Sequence, residues 1–132
     1  MPNSKAQTPN ETKNPNVKKV YDLEDRTATF AENVIDFVKS LPSDRINNEL
    51  IRQLIRSSTS IGANYMEADG AESKKDFRHK ISLCKKESKE TKHWLRMVAK
   101  ANPCKKIECN NLWNEAQELT LIFSSILRPK KK

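Results

Sequence analysis

The sequence predicts an all-α chain: an up-down-up-down antiparallel four-helix bundle preceded by a disordered N-terminal tail. Three observations carry this. Apolar residues recur every three or four positions through four separate segments. The 132 residues include only two glycines, Gly62 and Gly70, too few for the tight turns of hairpins and sandwiches. The connections between segments are short, which sets successive helices antiparallel. A chain of this length has room for one modest core and one domain.

Residues 1–20 carry Pro2, Pro9 and Pro15 among asparagines and lysines, a composition that buries too little apolar surface to offset the entropy of ordering, and a disordered basic tail is expected. The bundle is expected over residues 21–128, and residues 129–132 form a short basic end.

The first helix is expected from about Leu23 to Leu41, with Phe30, Val34, Phe37 and Val38 on one stripe and Asp22 and Asp25 at its positive end. Pro42 marks its stop. The second is expected from about Ile46 to Ala68, with Leu50, Leu54, Ile55, Ser58, Ile61, Gly62 and Tyr65 inward. Gly62 falls on that stripe, where a missing side chain lets a neighbouring helix come close at a propensity cost of roughly 1 kcal/mol. Gly70 falls just past the stripe, where a left-handed helix stop is expected.

The third helix opens on a Ser73-x-x-Asp76 cap and runs to about Lys100, before Asn102-Pro103. Its stripe is Phe77, Ile81, Cys84, Ser88, Thr91, Leu95 and Val98. The fourth is expected from about Ile107 to Leu127 through Leu112, Ala116, Leu119, Phe123 and Ile126.

The net charge of +8 points to a polyanion or an acidic partner, and it is unevenly spread. Between Lys74 and Lys100 stand ten Lys or Arg against three acids, a net of +7, whereas Asp22 to Leu41 carries five acids against two cations, a net of −3. Lys75, Arg78, Lys85, Lys86, Lys89, Lys92, Arg96 and Lys100 fall opposite the apolar stripe of the third helix and make one basic face, with no aromatics interleaved. A solvated surface is the plain reading of such a face. A phosphate-binding surface, weakly sequence-specific and salt-dependent, is the sharper one, because the acids are segregated from it.

Those acids, Glu87 and Glu90, share a flank with Leu83, Trp94 and Met97, too apolar to meet only water, so a second packing surface is implied. In an antiparallel hairpin turning near Gly70, Glu87 and Glu90 come level with Arg56 and Arg52, and Asn64 and Glu67 come near Lys74 and Arg78. Structural ion pairs, within or between subunits, are expected there rather than chemistry.

Support for catalysis is missing from the pattern. A di-iron bundle needs Glu-x-x-His on two helices, and the sequence has one match, Glu90-x-x-His93, with Glu67 on the order of 20 Å away along the axis. Cys84, Cys104 and Cys109 fit neither a zinc ribbon nor a Cys-x-x-Cys site, and no glycine loop cradles phosphate. No cofactor, no metal and no enzymatic activity are expected. With no apolar run that could serve as a signal or a membrane span, the expected location is the cytoplasm, with reduced thiols and no membrane partner.

The stretches "RQLIRSSTSIGANYMEA" and "SKKDFRHKISLCKKESKETKHWL" closely resemble the bacterial 23S rRNA intervening-sequence protein family, over about Tyr21 to Leu127. The matching pattern includes Arg52, Arg56, Asn64 and Glu67 in the second helix and Glu87, Glu90 and Trp94 in the third. The resemblance implies a homopentamer of four-helix protomers. It also implies kinship with the accessory protein of diversity-generating retroelements, a basic pentameric barrel that works with a reverse transcriptase and nucleic acid. Five copies at +8 carry about +40, a strong field for a polyanion. The expected function is therefore a non-catalytic oligomeric protein that binds RNA or DNA or acts as a scaffold. The alternative is an adaptor for an acidic protein such as a reverse transcriptase.

Overall fold

The computed structural model describes residues 22–129, and the tail expected over residues 1–20 and most of the basic C-terminal end lie outside them. Four helices follow in order: α1 (Leu23–Val38), α2 (Arg45–Asp69), α3 (Lys74–Ala101) and α4 (Lys106–Leu127), with a short 3-10 turn at Pro103–Lys105 leading into α4. Among the described residues there is no strand. Each helix packs most extensively on its sequence neighbours, and α4 closes back on α1 through a slighter contact. The result is the expected four-helix bundle.

The helix ends follow from local chemistry. Asp44 caps α2 by accepting the Asn47 amide at 2.8 Å, and Ser73 caps α3 by accepting the Asp76 amide at 3.0 Å, each relieving one of the orphan donors of a first turn. Asp22 makes no such side-chain bond. Three residues earlier than expected, α1 ends at Val38, because Lys39 to Leu41 tighten into a turn in which Ser40 and Leu41 bond back to Phe37 and Val38. Leu41 nevertheless stays buried.

Both glycines can now be placed. A Cβ on Gly62 would sit 3.1 Å from Thr27 Oγ1 of α1, so this position needs its missing side chain for the α1–α2 crossing. Gly70 departs from expectation: its φ of −99° is right-handed. The chain leaves α2 through Gly70 N–H to Met66 O and Ala71 N–H to Ala68 O, and this tightened turn satisfies the last carbonyls without a left-handed residue.

The core is built from Phe30, Val34, Leu54, Ile61, Ile81, Leu95, Val98, Leu119 and Phe123, all nearly inaccessible. Across the α2–α3 contact the buried residues are small and hydroxylic: Ser57, Ser58, Ser88 and Thr91. Ser88 bonds back to Cys84 O at 2.9 Å and Thr91 to Glu87 O at 2.8 Å within their own helix, and the Thr91 and Ser57 hydroxyls bond across the contact at 2.9 Å, while the small side chains bring the two backbones together. Across the slighter α1–α4 seam, Arg26 grips Glu115 with two bonds of 2.7 and 2.9 Å, and this carboxylate raises the guanidinium pKa.

Candidate nucleic-acid interface

The 28 residues of α3 contain neither Gly nor Pro, and an unbroken helix of about 42 Å results, with α2 on one side and α4 on the other. Only the remaining side meets solvent. Lys75, Arg78, Lys86, Lys89, Arg96 and Lys100 are exposed there, while Lys85 and Lys92 are half-buried.

The eight cations are not equivalent. Arg78 donates to Leu127 O at 2.7 Å, holding the negative end of α4. Lys92 reaches across to α4, donating to Gln117 Oε1 and lying 5.1 Å from the Trp113 ring centroid. Lys86 approaches Glu87 at 3.9 Å. Lys75, Lys85, Lys89, Arg96 and Lys100 have no carboxylate within 4.0 Å among the described residues.

Two of the three acids of α3, Glu87 and Glu90, turn the other way. Glu87, 8% exposed, takes Arg56 Nη1 at 3.3 Å, and Glu90 takes Arg56 Nη2 together with Trp94 Nε1 at 3.0 Å. One guanidinium of α2 thus serves both carboxylates. Arg52, expected at the same level, instead pairs with Glu49 of its own helix at 2.8 Å. Glu67 pairs with Lys80 at 2.6 Å rather than with Lys74 or Arg78. Axial level alone does not choose the partner, and azimuth decides: Lys80 lies on the α2 flank of α3, whereas Lys74 and Arg78 lie toward α4. Asn64 bonds to Ser60 O of its own helix at 2.9 Å.

The flank of Leu83, Trp94 and Met97 remains half-buried, with the Trp94 indole edge-on to His93 at 4.9 Å between centroids. His93 is exposed and Glu90 is tied to Arg56 and Trp94, so the single Glu-x-x-His does not converge on one point. Among the described residues no three His, Cys, Asp or Glu side chains gather in a metal-binding group. Burial pushes the Cys84 thiol up to about 12 and the Cys109 thiol up to about 11, which makes both poor nucleophiles; Cys104 is exposed. No described helix is long and apolar enough to cross a membrane.

Periodicity alone missed two features. Trp113 brings an aromatic ring from α4 to the edge of the basic face, at helical spacing from Lys106 and Asn110, a signal present in the sequence once both helices are oriented. Asn47 and Asn102 form a buried pair that no helical pattern announces.

Comparison with known proteins accords with this architecture. The chain is similar to a solved protein with unknown function from the S23 ribosomal protein family of Bacteroides thetaiotaomicron, with 28% sequence identity, a TM-score of 0.71, and coverage of 82% of this chain and 100% of that one. No curated protein matches it. A family model described as 23S rRNA-intervening sequence protein matches residues 19–125, most of the chain and all but the last turn of the bundle, and the chain belongs to that family.

Proposed function

We propose that this chain is a non-catalytic, cytoplasmic, oligomeric protein that binds nucleic acid through the outward face of α3. The observation that carries the reading is the segregation of charge on one helix. Glu87 and Glu90 are drawn to Arg56 of α2, while Lys75, Lys89, Arg96 and Lys100 stand exposed without a carboxylate partner among the described residues. A merely solvated helix gains from mixing the two signs at i and i+4; a face stripped of its acids loses that and gains affinity for phosphate. Self-association is supported by the half-exposed apolar flank of Leu83, Trp94 and Met97, and it multiplies the field of a +8 chain.

Light scattering on nuclease-treated protein eluting from a sizing column tests the reading, with ribosomal RNA fragments added at low and at physiological salt. A closed oligomer that shifts onto RNA at low salt and releases it as salt rises is the expected result. An oligomer that ignores RNA at both salts overturns nucleic-acid binding and directs attention to an acidic protein partner.

A further inference from the structure

Beside the basic face, where the C-terminal half of α3 meets the N-terminal half of α4, lies a groove of about 620 Å³. Its size is within the range of roughly 300–1,000 Å³ typical of small-ligand clefts. The floor is apolar, formed by Leu95, Ala99 and the inert Cys109. One wall is the indole of Trp113, 36% exposed, and beside it stands the exposed amide side chain of Asn110. Arg96 and Lys100 from α3 and Lys106 from α4 ring the opening, and no carboxylate lines it. Lys92, which lies over the Trp113 ring, is not part of the groove wall, so this cation steadies the indole without filling the space.

A flat aromatic wall, an apolar floor, one amide edge and three cations at the mouth are complementary to a planar ring with polar edges that carries phosphate. We propose that this groove holds one unstacked base of a single-stranded nucleic acid against Trp113, with Arg96, Lys100 and Lys106 taking the flanking phosphates. The inference rests on the reading of α3 as a phosphate-binding face and adds to it a preference for single strands. Bases inside a duplex are already stacked on one another and cannot reach the indole, whereas a splayed base can.

Binding of a labelled single-stranded RNA and of a labelled duplex of equal length to the full chain tests this at low salt. Trp113→Ala weakens the single strand about tenfold and leaves the duplex unchanged, and Trp113→Phe keeps most of the affinity. In a Trp94→Phe chain, where Trp113 is the sole indole, the single strand quenches fluorescence and the duplex does not. This second measurement holds even if Trp113→Ala fails to fold. Unchanged single-strand affinity in Trp113→Ala, or absence of quenching, overturns the groove while leaving RNA binding by α3 intact. Quenching by uridine monophosphate at the same concentration as by the strand overturns the single-strand assignment in favour of a free nucleotide. Failure of the unaltered chain to bind either RNA overturns the proposed function itself.

Discussion

Asn47 and Asn102 face each other as a reciprocal amide pair: Nδ2 of Asn47 donates to Oδ1 of Asn102 at 3.1 Å, and Nδ2 of Asn102 donates to Oδ1 of Asn47 at 2.9 Å. The pair ties the first turn of α2 to the C-cap of α3, at the end of the bundle where the α1–α2 and α3–α4 connections lie. Asn102 also donates to Val98 O at 2.9 Å and Asn47 to Pro42 O at 3.2 Å, so the amide protons of both are used. Removing one partner strands a buried amide. Asn102→Ala is expected to cost about 2 kcal/mol in urea unfolding, and Asn47→Ala added to it is expected to cost far less than it does alone.

Gly62 and Thr27 make the second prediction. In a helix interior Gly→Ala ordinarily gains about 1 kcal/mol, but here the new methyl meets Thr27 Oγ1 at 3.1 Å, and that hydroxyl is anchored to Leu23 O at 2.7 Å. Gly62→Ala therefore destabilises the bundle. In a Thr27→Ala background the obstructing oxygen is gone and the same change stabilises, by about 1 kcal/mol. Thermal unfolding of the four chains of this cycle reads the reversal of sign.

These two sites show what the sequence does and does not disclose. Helices, stripes and the cap at Ser73 are local properties, governed by the spacing and type of neighbouring residues, and so is the close approach at Gly62. Which cation meets which carboxylate is not local. Glu67 selected Lys80, and Arg56 took both Glu87 and Glu90, because the azimuth between two helices is set by packing of the hydroxyl-lined contact and not by either helix alone. The Asn47–Asn102 bond spans 55 positions, and Trp113 joins α3 only once α4 has folded back.

Arg56 is the hinge of the acidic flank. Its guanidinium reaches Glu87 and Glu90 together, and Arg56→Ala leaves the two carboxylates one helical turn apart, with Glu87 buried. Because the Arg56 side chain is 44% exposed, solvent offsets part of the loss. A destabilisation of about 1–2 kcal/mol is expected, shrinking when Glu87→Gln is combined with it, as measured by urea titration.

Salt dependence distinguishes the cations of α3. Replacing Lys75, Lys89, Arg96 and Lys100 with Gln removes exposed charges that have no carboxylate partner among the described residues, so it leaves folding unchanged and lowers the slope of log affinity against log salt by about 3. Replacing Arg78, whose guanidinium is engaged at the end of α4, lowers stability more than it lowers the slope.

The buried thiols give the bundle an alkaline limit. Cys84 and Cys109 ionise at about 12 and about 11 in the folded chain, against an ordinary value of 9.0, because burial disfavours the thiolate. Below pH 9 both thiols are protonated in either state and contribute no pH dependence. Above it the unfolded chain releases protons that the folded chain retains, so stability falls as pH rises toward 11, by up to about 1.4 kcal/mol per pH unit for each thiol. Urea midpoints taken at rising pH are expected to fall more steeply for the unaltered chain than for Cys84→Ala, even though that variant starts from a lower stability because of the cavity it leaves. The same burial sets reactivity: at pH 8 one thiol, the exposed Cys104, reacts quickly with a disulfide reagent, and the other two react only at the rate at which the helices open. Equal slopes in the two chains, or rapid labelling of all three cysteines, would show that α2 and α3 do not shield Cys84 in solution as they do in this fold.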